Sequence, residues 1–327
     1  MNHTEAWLWP SAVLTALGGA CALLLLPNPA ALFSALHVLP AWMAVAALIA
    51  SLYAFFRAMF YREREPIDRF RGYINRDYAR VLKVGGVVLM AGLNMIAFMW
   101  IKTLLNQNVE FWAGPYFARI DYVLLFGHDP WRLLQPFAFP GAGLIYLPAW
   151  FALMISALLI TAAAPPSCER SAALLSYFAL WTLVGPLIHL LMPAAGPIFF
   201  ERRGHGMRYH GIEPLPEVKA VADYLWTIYS NRQFGLASGI SAMPSMHVTM
   251  ATWTLLVFRR FAPHLRWVAI AGWLAIAVLS MALGWHFACD GIVGTAAAIV
   301  TWKALRFAMR ERGAAAMPAP ANAPLNA

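Results

Sequence analysis

Uncharged apolar blocks of about 20 residues recur along this chain, separated by short polar segments. A helix needs that length to cross a hydrocarbon core of about 30 Å. Backbone groups in lipid must be hydrogen-bonded within the protein, so each block is expected to be a helix. The alternating pattern of barrel strands is absent. About eight spans can be drawn, near 7–26, 38–60, 84–105, 143–163, 172–192, 245–258, 267–285 and 291–309. The sixth is the shortest, with a start possible as early as Ser238. The composition agrees: 61% hydrophobic, 12% charged and a mean hydropathy of +0.62, against about one quarter charged in a soluble domain. The expected fold is an all-α, polytopic membrane protein.

The net charge of +9 does not imply nucleic-acid binding, because the basic residues cluster between apolar blocks, where orientation signals lie. Arg57, Arg62, Arg64, Arg69, Arg71, Arg76, Arg80 and Lys83 lie between or flank spans two and three. By the positive-inside rule that segment is cytoplasmic. Cys168–Arg170, then Arg259, Arg260 and Arg266, then Lys303, Arg306, Arg310 and Arg312 fall on the same side, which puts both termini inside. Residues 61–83 read as an interfacial helix or, more simply, as a basic topology anchor against lipid heads. Residues 106–141 and 193–239 become long outer connections, a placement that favours chemistry on that side. The first block lacks a basic leader and a small-residue cleavage site, so it reads as a retained span. The three cysteines show neither a disulfide framework nor zinc spacing.

Two motifs carry chemistry. In Gly239-Ile240-Ser241-Ala242-Met243-Pro244-Ser245-Met246-His247, a histidine sits where a polar loop becomes an apolar helix. Ser and Pro are helix-start residues, and a helix N-terminus suits phosphate. In Gly284-Trp285-His286-Phe287-Ala288-Cys289-Asp290-Gly291, His286 and Asp290 share a face at i, i+4 spacing. A carboxylate on one imidazole nitrogen fixes the tautomer and frees the other nitrogen. Although 39 positions apart, the two histidines fall at one membrane surface by topology. Lys102 ends span three at that surface, either to neutralise phosphate oxygens or to snorkel to the headgroups. Asp121, Asp129 and Trp131 either shape an entrance or belong to an aromatic belt. His128, His189, His205, His210 and His264 read as interfacial side chains.

Pro244-Ser245-Met246-His247 with His286-x-x-x-Asp290 resembles the type 2 phosphatidic acid phosphatase superfamily. That signature has a lysine-led first motif, then Pro-Ser-Gly-His, then Ser-Arg, five residues, His, three residues and Asp. Here Met246 stands in place of the glycine, and Leu279-Ser280 replaces Ser-Arg. These departures, with Ser241-Ala242-Met243-Pro244-Ser245-Met246-His247, resemble the aureobasidin-resistance inositol phosphorylceramide synthase branch. Arg132, Arg202 and Arg203 are candidates for the missing positive charge.

The resemblance implies a six-helix catalytic core, at 84–312, with two additional helices in 1–83; the Ala- and Pro-rich tail at 313–327 has no core-forming pattern and is expected to be disordered. The resemblance also implies that His286 attacks phosphorus to form a phosphohistidine, with Asp290 holding its imidazole. His247 protonates the leaving oxygen and then activates the acceptor. Lys102 and Ser245 bind phosphate oxygens, without a cofactor or metal. The implied substrate is a lipid phosphate; the compact loops and the lack of a long processed leader suggest a bacterial cytoplasmic membrane, in which the basic segments turn the site outward. The acceptor is water in a hydrolase, or an alcohol such as inositol or another headgroup in a phosphotransferase. A transporter or an inactive scaffold are the rivals from other classes. Clustering of the ionisable residues at one surface, rather than at mid-span, disfavours the first, and intact His247, His286 and Asp290 disfavour the second.

Overall fold

The computed structural model describes residues 5–27, 33–62, 64–212, 214–235 and 237–315. Its principal helices are α1 (Leu8–Leu25), α2 (Val38–Phe60), α3 (Pro66–Arg76), α4 (Tyr78–Asn108), α5 (Gly114–Leu124), α6 (Ala142–Ala163) and α7 (Cys168–Leu191). They continue with α8 (Pro216–Ser230), α9 (Met246–Phe261), α10 (Arg266–Ala282) and α11 (Ala288–Ala315). No strand occurs among the described residues. Seven of these helices are long and apolar enough to cross a membrane: α1, α2 (with the turn before it), α4, α6, α7, α10 and α11. The sixth block of the sequence becomes α9, whose 16 residues span only about 24 Å. The tail expected from Gly313 begins inside α11, and residues 316–327 lie outside the described residues.

The short helix α9 is also the central one, packed against α6, α10 and α11. Trp253 on α9 is fully buried, and its indole N–H donates to the Ala173 carbonyl of α7 at 3.0 Å. A helix enclosed by other helices does not have to match the lipid thickness itself, which explains how so short a segment serves here. α1 and α2 dock on this bundle: buried Trp42 donates to the Val88 carbonyl at 2.9 Å. α7 passes through a π-turn at Leu180–Val184 just before Pro186, a common accommodation for a missing N–H within a helix.

α9 and α11 both run from the histidine motifs toward a charged cluster at the opposite end. There the buried Glu169 carboxylate meets Arg306 at 2.6 Å, Arg310 at 2.9 Å and Arg260 at 3.5 Å, tying α7 to α9 and α11. Glu169→Gln leaves three guanidiniums facing one another around a neutral amide. Because those arginines are half-exposed, the expected loss is about 1–2 kcal/mol, read as a lower melting temperature that added salt partly restores.

Candidate active site

Three loops build the histidine end. The Ala242 N–H donates to the Ala194 carbonyl at 2.7 Å, and the Ile198 N–H donates to the Gly284 carbonyl at 2.9 Å. The Pro193–Ile198 stretch therefore stitches the first histidine motif to the second. Gly196 makes this possible. Its φ of +94° and ψ of 161° fall in a region open essentially to glycine alone, and a Cβ there would lie 2.3 Å from the Trp285 carbonyl oxygen.

His286 is buried in this frame. Its Nδ1 lies 3.0 Å from the Ala242 carbonyl oxygen and 3.5 Å from Asp290 Oδ2. A carbonyl only accepts, so Nδ1 carries the proton and Nε2 is left with its lone pair. The tautomer expected from Asp290 is thus set first by a backbone carbonyl, with the carboxylate as the more distant neighbour. Asp290 is fully buried, its Oδ2 accepts the Phe287 N–H at 2.8 Å, and its Oδ1 has no protein partner.

His247 enters in the first turn of α9. Its ring centroid is 6.0 Å from that of His286, in an edge-on arrangement. Trp150 and Tyr146 of α6 flank it, with centroids at 4.6 and 5.1 Å, and Trp150 Nε1 donates to the His247 carbonyl at 3.1 Å. The Tyr146 hydroxyl is buried and has no partner among the described residues. Ser245 acts as the helix cap: its Oγ accepts the Val248 N–H at 3.4 Å. Its own N–H is bonded to the Asp290 carbonyl at 3.2 Å, so it is not available to a phosphate. The open N–H donors of this turn lie further on, at Met246 and His247.

Met246, which occupies the glycine position of the resembled motif, packs on α7. A Cβ at Gly185 would come within 2.7 Å of Met246 Sδ. The glycine has in effect moved to the facing helix. Lys102 of α4 lies across Gly239, where a Cβ would meet the Lys102 Cγ at 2.5 Å. With His189, Ser241, Pro244 and Met246 it lines a recess of about 10 Å³, room for about one water-sized group.

Two positions that the sequence read otherwise prove to be part of this frame. His189 is buried rather than interfacial; its Nε2 lies 3.2 Å from Asn106 Nδ2, and its Nδ1 lies 3.1 Å from Ser241 Oγ. The signal available was topological, because its span ends where the other two histidine motifs lie. Asp121 of α5 is fully buried and caps α11 from a distance, accepting the Ala288 and Cys289 N–H groups at 2.6 and 2.9 Å. It fixes the helix that carries Asp290. Asp129 is bound by Arg208 at 2.7 Å, a tie between loops. Arg132, Arg202 and Arg203, the candidates for the missing positive charge, each have a partner of their own. Arg132 stacks on Trp131, Arg202 pairs with Asp223, and Arg203 donates to the Tyr229 hydroxyl. Among the described residues none of the three makes a hydrogen bond or ion pair with His247, His286 or Asp290.

Burial raises the Asp121 carboxyl from its ordinary 3.8 to about 6. The folded state therefore holds this proton more tightly than the unfolded state. Its stabilising contribution is complete below about pH 4 and lost as the pH rises through about 6. Relative to Asp121→Asn, the native chain should lose roughly 3 kcal/mol of stability across that window and stay level above it, as measured by thermal melts at a series of pH values.

Residues 117–304 match the model of the PAP2 superfamily. The matched stretch contains Asp121, Ser245, His247, His286 and Asp290, and begins after Lys102. No curated protein and no solved structure matches the chain. With more than half of its length matched and both histidine motifs inside the match, the chain belongs to the PAP2 superfamily, whose members are phosphoesterases.

Proposed function

We propose that the chain transfers a phosphoryl group from a lipid phosphate ester through a phosphohistidine on His286. The observation that carries this reading is the 6.0 Å ring separation of His247 and His286, joined to the Nδ1 tether that leaves the His286 Nε2 lone pair free. Two rings this close can act on one and the same phosphoryl group.

The His286 Nε2 lone pair attacks phosphorus, and the bond to the leaving oxygen breaks as His247 delivers a proton to it. His247 then takes a proton from the acceptor hydroxyl, whose oxygen attacks phosphorus and displaces His286. Asp290 stabilises the imidazole while it carries positive charge. Lys102, the first-turn N–H groups of α9 and the Ser245 hydroxyl stabilise the non-bridging oxygens, on which the transition-state charge is spread. No metal or cofactor takes part in this scheme.

The catalytic unit is 84–312, with 1–83 as an accessory helical pair. The charged cluster around Glu169 lies in the cytoplasm and the histidine end faces outward, in a bacterial cytoplasmic membrane. This orientation rests on the basic segments. Acyl chains stay in lipid while the headgroup reaches the histidine end.

Transfer to an alcohol is supported by Met246 and by Ser280 at the position of the motif arginine; hydrolysis shares the first half-reaction. Purified protein given labelled lipid phosphates with and without alcohol acceptors separates the two. Free phosphate identifies water as acceptor, and label in a new lipid identifies an alcohol. Absence of both products over a broad lipid panel contradicts the proposal.

A further inference from the structure

A second recess, of about 420 Å³, opens beside the end of α4 and the end of α8. Its volume is in the range of ligand sites, and its wall is strongly polar. Arg203, Arg232, Glu110, Asn106 and Tyr229 all line it.

The outer arginines differ in how they are used. Arg202 and Arg208 are neutralised by Asp223 and Asp129. Among the described residues, neither Arg203 nor Arg232 is paired with a carboxylate. The Arg203 guanidinium is nevertheless fixed: it donates to the Tyr229 hydroxyl at 2.7 Å and sits over the Phe111 and Tyr229 rings at 5.2 and 5.5 Å. Its Nε is buried without a partner. A held, unneutralised guanidinium with an unused buried donor is preorganised for an anion. Arg232 follows the end of α8 with φ of +52°, in the left-handed region that side chains rarely occupy.

Acceptors stand beside these donors. Glu110 lines the same wall, and so does Asn106, whose buried Oδ1 has no partner among the described residues. An anion alone would be repelled by Glu110 and leave Asn106 unsatisfied. A ligand with both phosphate oxygens and hydroxyl groups satisfies both sets.

We infer that this recess is a second binding site, separate from the histidine pair, for a hydroxyl-bearing phosphate ester. Arg203 and Arg232 take the phosphate; Asn106 and Glu110 take the hydroxyl hydrogens. Asn106 also bonds His189, which bonds Ser241, the neighbour of the carbonyl that holds His286. The site is therefore wired to the histidine frame without overlapping it. The ligand is either a soluble ester or the headgroup of a bilayer lipid.

The test is binding, independent of turnover, so it can fail while the phosphohistidine scheme stands, and the reverse. The full chain carrying His286→Ala is placed in phosphatidylcholine nanodiscs and titrated calorimetrically with glycerol 3-phosphate. In parallel, native mass spectrometry scores phosphatidylglycerol retained from mixed-lipid discs. A soluble source gives saturable titration, and a lipid source gives retained phosphatidylglycerol. In either arm, Arg203→Gln and Arg232→Gln should each weaken binding at least about tenfold, and this arginine-dependent binding should persist in Lys102→Gln. Arg232 is exposed, so its variant controls against misfolding in the Arg203 variant. Binding lost on Lys102→Gln but insensitive to both arginine changes places the ligand among the histidines and overturns the inference. So does the absence of binding in both arms.

Discussion

His286→Ala should lower lipid-phosphate turnover on the order of 10³-fold or more, since loss of a covalent nucleophile is the most damaging single change such a site can suffer. The side chain's structural bonds are few, one from Nδ1 to the Ala242 carbonyl and a longer contact with Asp290. Folding should therefore survive: melting should fall by only a few degrees, corresponding to about 1–2 kcal/mol. His247→Ala should be less severe on substrates with good leaving groups, because these need little help from a general acid. That contrast distinguishes a nucleophile from an acid–base partner and is read by comparing activated aryl phosphates with lipid phosphates.

Gly196→Ala should be the most damaging substitution outside the histidines. Two separate penalties coincide there: a backbone conformation closed to side chains, and a Cβ placed 2.3 Å from a carbonyl oxygen. Flexible side chains could move aside, but a backbone carbonyl can shift only by displacing Trp285 and His286 with it. We expect a loss of about 3 kcal/mol or more, with activity falling even where the fold persists. Gly141→Ala provides the control. Its φ of +88° and ψ of −5° lie in the left-handed helical region, less forbidding than that of Gly196, and nothing lies within 4 Å of the added Cβ. It therefore reports a milder conformational penalty without a clash, about 1 kcal/mol. Equal effects at the two positions would show that the Gly196–Trp285 approach is not what holds the motifs together.

Much of this architecture was legible from residue order because the bilayer imposes a strong length rule. Apolar blocks of span length became helices, and the two histidine motifs arrived at one end because one opens a helix and the other precedes one. The weakest reading, the sixth block, failed the length rule for a physical reason: α9 is enclosed by protein and answers to its neighbours. The fine structure of the site was less legible. His189 and Asp121 act through partners far away in the chain, Asn106 and Ser241 for one and the Ala288 and Cys289 N–H groups for the other. No local spacing announces such pairs. The His286 tether is a backbone carbonyl, which every residue possesses. Likewise the search for a substitute arginine looked for charge, which does not reveal that Arg202 is paired with Asp223. The Met246 departure becomes intelligible only with Gly185 in view, because the volume gained on one helix is given up on another.

The most direct measurement is of the covalent state itself. Wild-type protein is quenched during turnover of a labelled lipid phosphate under alkaline conditions, which preserve a phosphorus–nitrogen bond, and its peptides are mapped by mass spectrometry. The account predicts a phosphoryl adduct on His286 that disappears on acid treatment and is missing from His286→Ala. An adduct on any other residue, or full turnover by His286→Ala, would contradict it.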